Sequence, residues 1–360
     1  MKLLTQRAGG TMPKRVRVEG RERPSVYDVA ARAGVSIATV SRVLRGTAPV
    51  AAETRRRVLA AADELRWRPS RLARAFVEQS HGAVGIVFPD LGGPYYSAVI
   101  AGFEEKAAER RSAVLILATH GRGNADELVS DLADRVDGLV VMGRTVTDDV
   151  IASIAHSNVP VVLLARAPVG DVAAVRTANA APADALAQHV LSHGRRHVAF
   201  VGDPARSPDV SERWRGVRRA LQRGGIDVSQ ALVPCDGFDV EHGYKAGLEL
   251  FALGNVVDAV MCANDEIAAG VLRAVTGYGL RVPDDVIVSG WDDTPMAART
   301  HPPLSTVRQP MHELGARAAV LLFERIEGHS ISSVVLRTSL VLRASCGCTS
   351  QQATATGGRP

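Results

Sequence analysis

Between Ser36 and Arg45 the chain concentrates side chains that hold anions: the hydroxyls of Ser36, Thr39 and Ser41 and the guanidinium groups of Arg42 and Arg45. Hydroxyls donate to phosphate oxygens, and an arginine fork matches a phosphate or the O6/N7 edge of guanine. Ile37 and Ala38 between them carry no hydrogen-bonding group, so thymine methyls or plain shape are their natural partners. Two other groupings hold metal-ligating types. His189, His193 and His197 are spaced by four, and Cys346-Gly347-Cys348 stands near the C-terminus. Gly194 breaks the helix before His197 and no Cys or carboxylate pair lies near in sequence, so the three read as surface histidines. The two cysteines read as an isolated pair beside a frayed end. Gly121-Arg122-Gly123 follows an apolar run, as a dinucleotide loop would, but the third glycine that closes helix onto strand is missing.

The elements that must carry the basic set follow from periodicity. Residues 1–24 are rich in Arg, Gly and Pro without a repeat and read as a disordered basic arm, within which Met12 is a second candidate start. Ser25 caps a helix with Asp28 three residues on, and Val26, Val29, Ala30 and Ala33 form its apolar stripe up to Gly34. Ser36 caps a second helix with Val40, Val43 and Leu44 turned inward and Ile37, Ala38, Ser41, Arg42 and Arg45 outward. A third helix from about Ala51 to Leu65 buries Val58, Leu59, Ala62 and Leu65 beside Arg55, Arg56 and Arg57. Helix, tight glycine turn and helix is the helix-turn-helix arrangement. Charge agrees: residues 1–80 carry 17 Lys+Arg against 7 Asp+Glu, a net of +10, and the remaining 280 sum to −5. A basic front that meets a polyanion is joined to an acidic body with another task.

The runs Ser25-Val26-Tyr27-Asp28-Val29-Ala30-Ala31-Arg32-Ala33-Gly34-Val35-Ser36 and Thr39-Val40-Ser41-Arg42-Val43-Leu44 closely resemble the DNA-binding headpiece of the LacI/GalR family of bacterial transcription regulators. The resemblance implies that the second helix enters the major groove, with Ile37, Ala38 and Arg42 at base edges and Ser25, Ser36, Thr39 and Ser41 on the backbone. Arg45 stands where the family usually has Asn, and either adds a phosphate contact or shifts base preference. The stretch Pro69-Ser70-Arg71-Leu72-Ala73-Arg74-Ala75-Phe76 is too short for a helix stable alone. In the family it folds on the operator as a hinge helix in the minor groove, which assigns Ala73 and Arg74 to DNA and makes Phe76, at a position normally Leu, an intercalating wedge. The alternative is Phe76 packed on the body.

From Ala83 short apolar runs alternate with amphipathic stretches. Runs 83–88, 113–117, 138–142, 159–164, 197–201, 259–262 and 286–290 read as buried parallel strands, and Ala98 to Arg110 and Ala183 to His193 as helices between them. Such alternation means α/β, and more than ~250 residues exceed one doubly wound sheet, so two lobes with a cleft are expected. The resemblance extends over about Ser25 to Leu342. It is carried here by Cys262-Ala263-Asn264-Asp265-Glu266-Ile267-Ala268-Ala269-Gly270, Gly279-Leu280-Arg281-Val282-Pro283-Asp284-Asp285-Val286, Val288-Ser289-Gly290-Trp291-Asp292-Asp293 and Pro303-Leu304-Ser305-Thr306-Val307-Arg308-Gln309-Pro310. It implies a periplasmic-binding-protein-like effector domain whose chain crosses between lobes near residues 173, 307 and 334. Carried over by position, the effector cleft includes Tyr95, Tyr96, Arg166, Arg213, Asn264, Asp265, Trp291, Asp292 and Gln309. Carboxylates and guanidinium groups hold sugar hydroxyls, and aromatic faces stack on ring C–H edges. The other readings are a buried strand-end pair for the two tyrosines and a structural cap for Asp292. Gly93 replaces the usual Asn before Pro, and Ala178-Asn179 stands where Asp-Asn is common.

The expected architecture is therefore an all-α helix-turn-helix headpiece (25–68), a hinge and linker (69–80), a two-lobed α/β effector body (81–346) and a flexible tail (347–360). The expected function is a DNA-binding transcriptional regulator, most simply a repressor and otherwise an activator or corepressor-dependent member of the same family, controlled by a sugar-like effector without cofactor or metal. A two-fold operator and paired hinges call for a homodimer, with a tetramer the other option. No apolar run approaches the ~18 residues of a membrane span, no secretory h-region follows Met1, and four cysteines suit a reducing cytoplasm. The rivals are a sugar-binding protein without DNA function, which calls for a signal peptide and no basic front, and a nicotinamide enzyme, which calls for the missing glycine and an acid/base pair.

Overall fold

The computed structural model describes residues 24–45, 49–67, 80–252 and 257–348. The chain divides into two units between Gln79 and Ser80, and each stands as its own body.

In the first unit α1 (Val26–Ala33) begins at a reciprocal cap: the Ser25 backbone N–H donates to Asp28 Oδ2 at 2.7 Å and Ser25 Oγ accepts from the Asp28 N–H. The helix ends at Gly34, whose φ of 63° is left-handed and open to glycine without steric cost. The chain then turns into α2 (Ile37–Arg45) and continues to α3 (Ala52–Glu64). Val29, Val40 and Val58 are fully buried at the centre, closed by Ala30, Ala33, Val43 and Ala61. One expectation fails here. Leu59 is half exposed, because the inward stripe of α3 runs through Val58, Ala61, Ala62 and Leu65 and Leu59 lies a helical step outside it.

The body opens with β1 (Ala83–Phe88), α4 (Gly93–Glu109), β2 (Ala113–Ala118), α5 (Ala125–Ala133), β3 (Leu139–Met142), α6 (Asp148–His156), β4 (Val161–Leu164) and β5 (Ala174–Thr177). The second lobe follows with α7 (Ala180–Ser192), β6 (Val198–Val201), α8 (Pro208–Arg223), β7 (Leu232–Val233), α9 (Val240–Ala252), β8 (Ala259–Cys262), α10 (Asp265–Gly277) and β9 (Ile287–Ser289). Then come β10 (Thr306–Arg308), α11 (Met311–Ile326), β11 (Val334–Leu336), β12 (Ser339–Val341) and a 3-10 turn, Ala344–Cys346.

The first lobe is a parallel sheet in the order β11-β5-β4-β3-β1-β2, and the second a parallel sheet in the order β7-β6-β8-β9. Period-2 alternation inside the apolar runs explains why both faces are covered. Val84, Ile86 and Phe88 face α4 and α11, while Ala83 and Val87 face α5 and α6. The two helices on the first face cross at backbone contact: a Cβ added at Gly102 would fall on the His312 carbonyl oxygen, and one at Gly315 on that of Val99. The seven expected strands all form. Helix α4 starts at Gly93 rather than Ala98, because Pro94 opens its first turn, where a missing N–H costs nothing.

The polypeptide passes between lobes after β5, after β10 and after β11, each passage two to five residues beyond its expected place because the crossing follows the end of a strand. Strands β5, β7, β10, β11 and β12 are too short or too polar for periodicity to reveal. β10 and β12 pair antiparallel, so two of the crossings run side by side.

Candidate nucleic-acid interface and effector cleft

On α2 the buried residues Val40 and Val43 fix which side faces out. Ile37 is 40% exposed, and Ala38 and Arg42 are exposed beside it. The Thr39 N–H donates to Ser36 Oγ at 3.2 Å, and the two hydroxyls lie 3.0 Å apart, so Ser36 caps α2 and Thr39 shares in that cap. Ser41 is half-buried. Ser25 spends its hydroxyl on the α1 cap. Tyr27, which composition alone does not single out, is 69% exposed on α1 and is a large aromatic the same unit presents to solvent. The Arg45 side chain and the hinge residues Ala73, Arg74 and Phe76 lie outside the described residues.

In the body most of the residues assigned to the cleft converge on one buried polar network. Its centre is Asp292, 4% exposed, on backbone with φ of 109° and bonded at Oδ1 by Gln309 Nε2 at 2.5 Å. Gln309 Oε1 in turn accepts from Thr177 Oγ1 at 2.6 Å, so the end of β5 and the end of β10 are tied through one side chain. Arg213 donates to Asn179 Oδ1 at 2.9 Å and to the Ala263 carbonyl at 2.6 Å, and lies 3.9 Å from Asp209. Its guanidinium sits 4.6 Å from the ring centre of Trp291. Trp291 is 2% exposed, and this cation covers a ring face that was expected to stack on a sugar.

From the first lobe Tyr95 brings a hydroxyl that is buried and has no protein partner, in the field of Asp209 and Asp292. Its ring meets Tyr96 edge to face at 5.5 Å, and Tyr96 meets Phe88 likewise at 5.6 Å. The pair stands in the first turn of α4, not at a strand end.

Burial dominates the electrostatics. It pushes the Asp292 carboxyl up to about 8 against the pull of Arg213, with Asp265 and Asp209 adding to the rise. Burial also lifts Asp209 and Asp265 to about 6, and Tyr96 to about 12. The remaining assigned residues bond to partners outside this network. Asn264 Oδ1 caps α10 by accepting from the Ile267 N–H at 2.8 Å, and its Nδ2 donates to the Phe238 carbonyl. Asp265 is fully buried, with one oxygen accepting from Thr306 Oγ1 and the other from the Thr294 N–H, both at 2.7 Å. Arg166, two residues beyond the end of β4, pairs with Asp148. Asp209 and Thr177 were missed, and Asn179 was noted only as a departure. The available signal for Asp209 was its place four residues before Arg213 at a proline-opened helix start.

Residues 25–70 match the bacterial regulatory proteins of the lacI family, and residues 187–346 match the periplasmic binding protein-like domain. The transcriptional regulator MalR of Streptomyces coelicolor is 36% identical over 334 residues, 88% of this chain and 95% of that protein. The chain belongs to the LacI family. Among solved structures, the lac repressor dimer bound to operator and the anti-inducer ONPF is similar to this regulator with a TM-score of 0.80 at 27% identity, covering 90% of this chain and 99% of that one. A complex of the transcriptional regulator CelR with cellobiose matches at a TM-score of 0.68 and 30% identity, over 90% of this chain and all of that one. This LacI-family protein is thus a DNA-binding transcriptional regulator with a ligand-responsive body. Among its described residues no helix is long and apolar enough to cross a membrane.

Proposed function

We propose that this LacI-family regulator is a cytoplasmic, homodimeric repressor that reads a pseudo-palindromic operator and is controlled by a neutral sugar bound between its lobes. The reading side of α2 is Ile37, Ala38 and Arg42, with Arg42 forked on a guanine, and Ser36, Thr39, Ser41 and Arg45 on the backbone. Ala73, Arg74 and Phe76 enter the minor groove from paired hinges.

The observation that carries the effector half is the network joining Tyr95, Asp209, Arg213, Asp292 and Gln309, which draws on both lobes and on two crossings. Any ligand that exchanges bonds with these groups changes the lobe angle, and a coupling of about 1–3 kcal/mol is what such regulators need. Three buried carboxyls against one buried guanidinium favour an uncharged polyol and disfavour a sugar phosphate. Asn264 and Asp265 position the surrounding loops, and Arg166 borders the cleft.

The test is fluorescence anisotropy of the full chain on a DNA selected from a random pool, repeated with neutral mono- and disaccharides and with their phosphates. A neutral sugar is expected to shift operator affinity about 5–150-fold. Phosphorylated sugars acting while neutral ones do not would overturn the effector half. Equal affinity for selected and random DNA would overturn the reading-helix half.

A further inference from the structure

The metal-ligating residues that looked unrelated in sequence are neighbours in space. His189 and His193 lie one turn apart at the end of α7, and His193 Nε2 is 3.2 Å from His189 Nε2. Cys346 closes the 3-10 turn, and its Sγ lies 3.3 Å from His189 Nε2. Cys348 Sγ lies 3.5 Å from His189 Nε2 and 3.6 Å from His193 Nε2. All four ligand atoms fall within 4.8 Å of one another. The cysteines are 1% and 7% exposed, so the pair expected at a frayed end is packed on the second lobe and the body runs through Cys348. His197, the third of the series, is exposed and turned to Asp258.

These separations carry chemical information. Zinc bonds of about 2.0–2.1 Å to nitrogen and about 2.3 Å to sulfur, arranged tetrahedrally, place ligand atoms about 3.3 Å apart for N···N and about 3.6 Å for N···S. The N···N separation of 3.2 Å and the three N···S separations of 3.3 to 3.6 Å match four edges of that solid, and the remaining pairs stay within 4.8 Å. From these contacts we propose that His189, His193, Cys346 and Cys348 form a four-coordinate zinc site. Two imidazoles with two thiolates suit Zn(II) in charge and softness, since the thiolates neutralise the cation.

Both halves of the site are held independently of any metal. Leu186, Ala187 and Val190 anchor α7 in the lobe core. Ser345 Oγ donates to the Val288 carbonyl at 2.6 Å and accepts from the Ser305 N–H at 2.8 Å, which fixes the turn that carries Cys346. Gly347, with φ of 88°, reverses the chain so that both sulfurs face the helix, and a side chain there would strain that reversal. Four protein ligands leave no open position, so the role is structural: the metal ties α7, which follows the first crossing, to the segment that follows the third.

The experiment uses the full chain, reduced, stripped with chelator and titrated with Co(II). The expected result is about one equivalent bound, with thiolate-to-cobalt charge-transfer bands and intense visible bands of tetrahedral cobalt that zinc then bleaches. Chelated protein should melt several degrees lower and recover on adding zinc. A Cys235→Ser control should keep the bands, and a Cys346→Ser/Cys348→Ser double variant should lose them. Fully reduced protein without these bands, or bands that persist in the double variant, would overturn the site. The cobalt spectrum of the unaltered chain stands whether or not the double variant folds.

Discussion

The outward face of α2 and the buried network of the body both hold the residues assigned to ligands, but they are built in opposite ways. Ile37, Ala38 and Arg42 are exposed around a helix whose far side, Val40 and Val43, is buried. Asp292, Gln309, Asn179 and Arg213 are all below a tenth exposed and bond mainly to one another or to backbone. A surface face can change its chemistry without disturbing the fold that presents it. A buried network cannot, since every member left unpaired bears the full cost of desolvation.

The contrast can be broken most directly at Arg213. Arg213→Ala removes the buried guanidinium that faces Asp209 and Asp292 and leaves its bonds to Asn179 and the Ala263 carbonyl unmade, and is expected to cost about 3–5 kcal/mol in urea unfolding of the full chain. A loss under ~1 kcal/mol would mean that the network is solvated rather than closed. Arg42→Ala should do the reverse, weakening selected operator by about 1–3 kcal/mol while the urea midpoint stays put. Equal weakening on random DNA would demote Arg42 to a phosphate contact.

The pH response sharpens the same division. A buried acid whose native pKa is raised binds more protons folded than unfolded, so the stability it provides is present at low pH and is lost as pH rises through the native value. With Asp209 and Asp265 at about 6 and Asp292 at about 8, the urea midpoint should fall as pH goes from about 5 to 8. Asp292→Asn keeps an acceptor for Gln309 and should flatten the upper part of that fall; an unchanged profile would place the titration elsewhere. The smallest effect is expected at Leu59, where its half-exposed position limits Leu59→Ala to about 0.5 kcal/mol by the same urea measurement.

How much of this was legible in sequence follows the same line. The Ser25–Asp28 cap, the Gly34 turn and the outward set on α2 depend on residues within ten positions of each other, so spacing reveals them. The seven expected strands announce themselves because their runs are largely apolar, and all but the edge strand β2 are buried on both faces. Resemblance to the family then named most members of the buried network, but it did not say how they would be partnered. The Asn264 cap is made three residues on, but Asp265 is occupied by Thr294 and Thr306, 29 and 41 residues away along the chain. Leu59 was misplaced because one helical step separates a buried position from an exposed one.

Sequence by itself determined the helix-turn-helix, the charge division between front and body, the α/β alternation and the family. Each of these is a local or compositional property, set by periodicity, capping and residue type. Tertiary structure alone decided that Gln309 bridges Thr177 and Asp292, that Arg213 covers Trp291, and that His189 and His193 face Cys346 and Cys348. Those groups lie up to 159 residues apart along the chain. Only the packing of helices on sheets, and three passages between lobes, brings them within bonding distance.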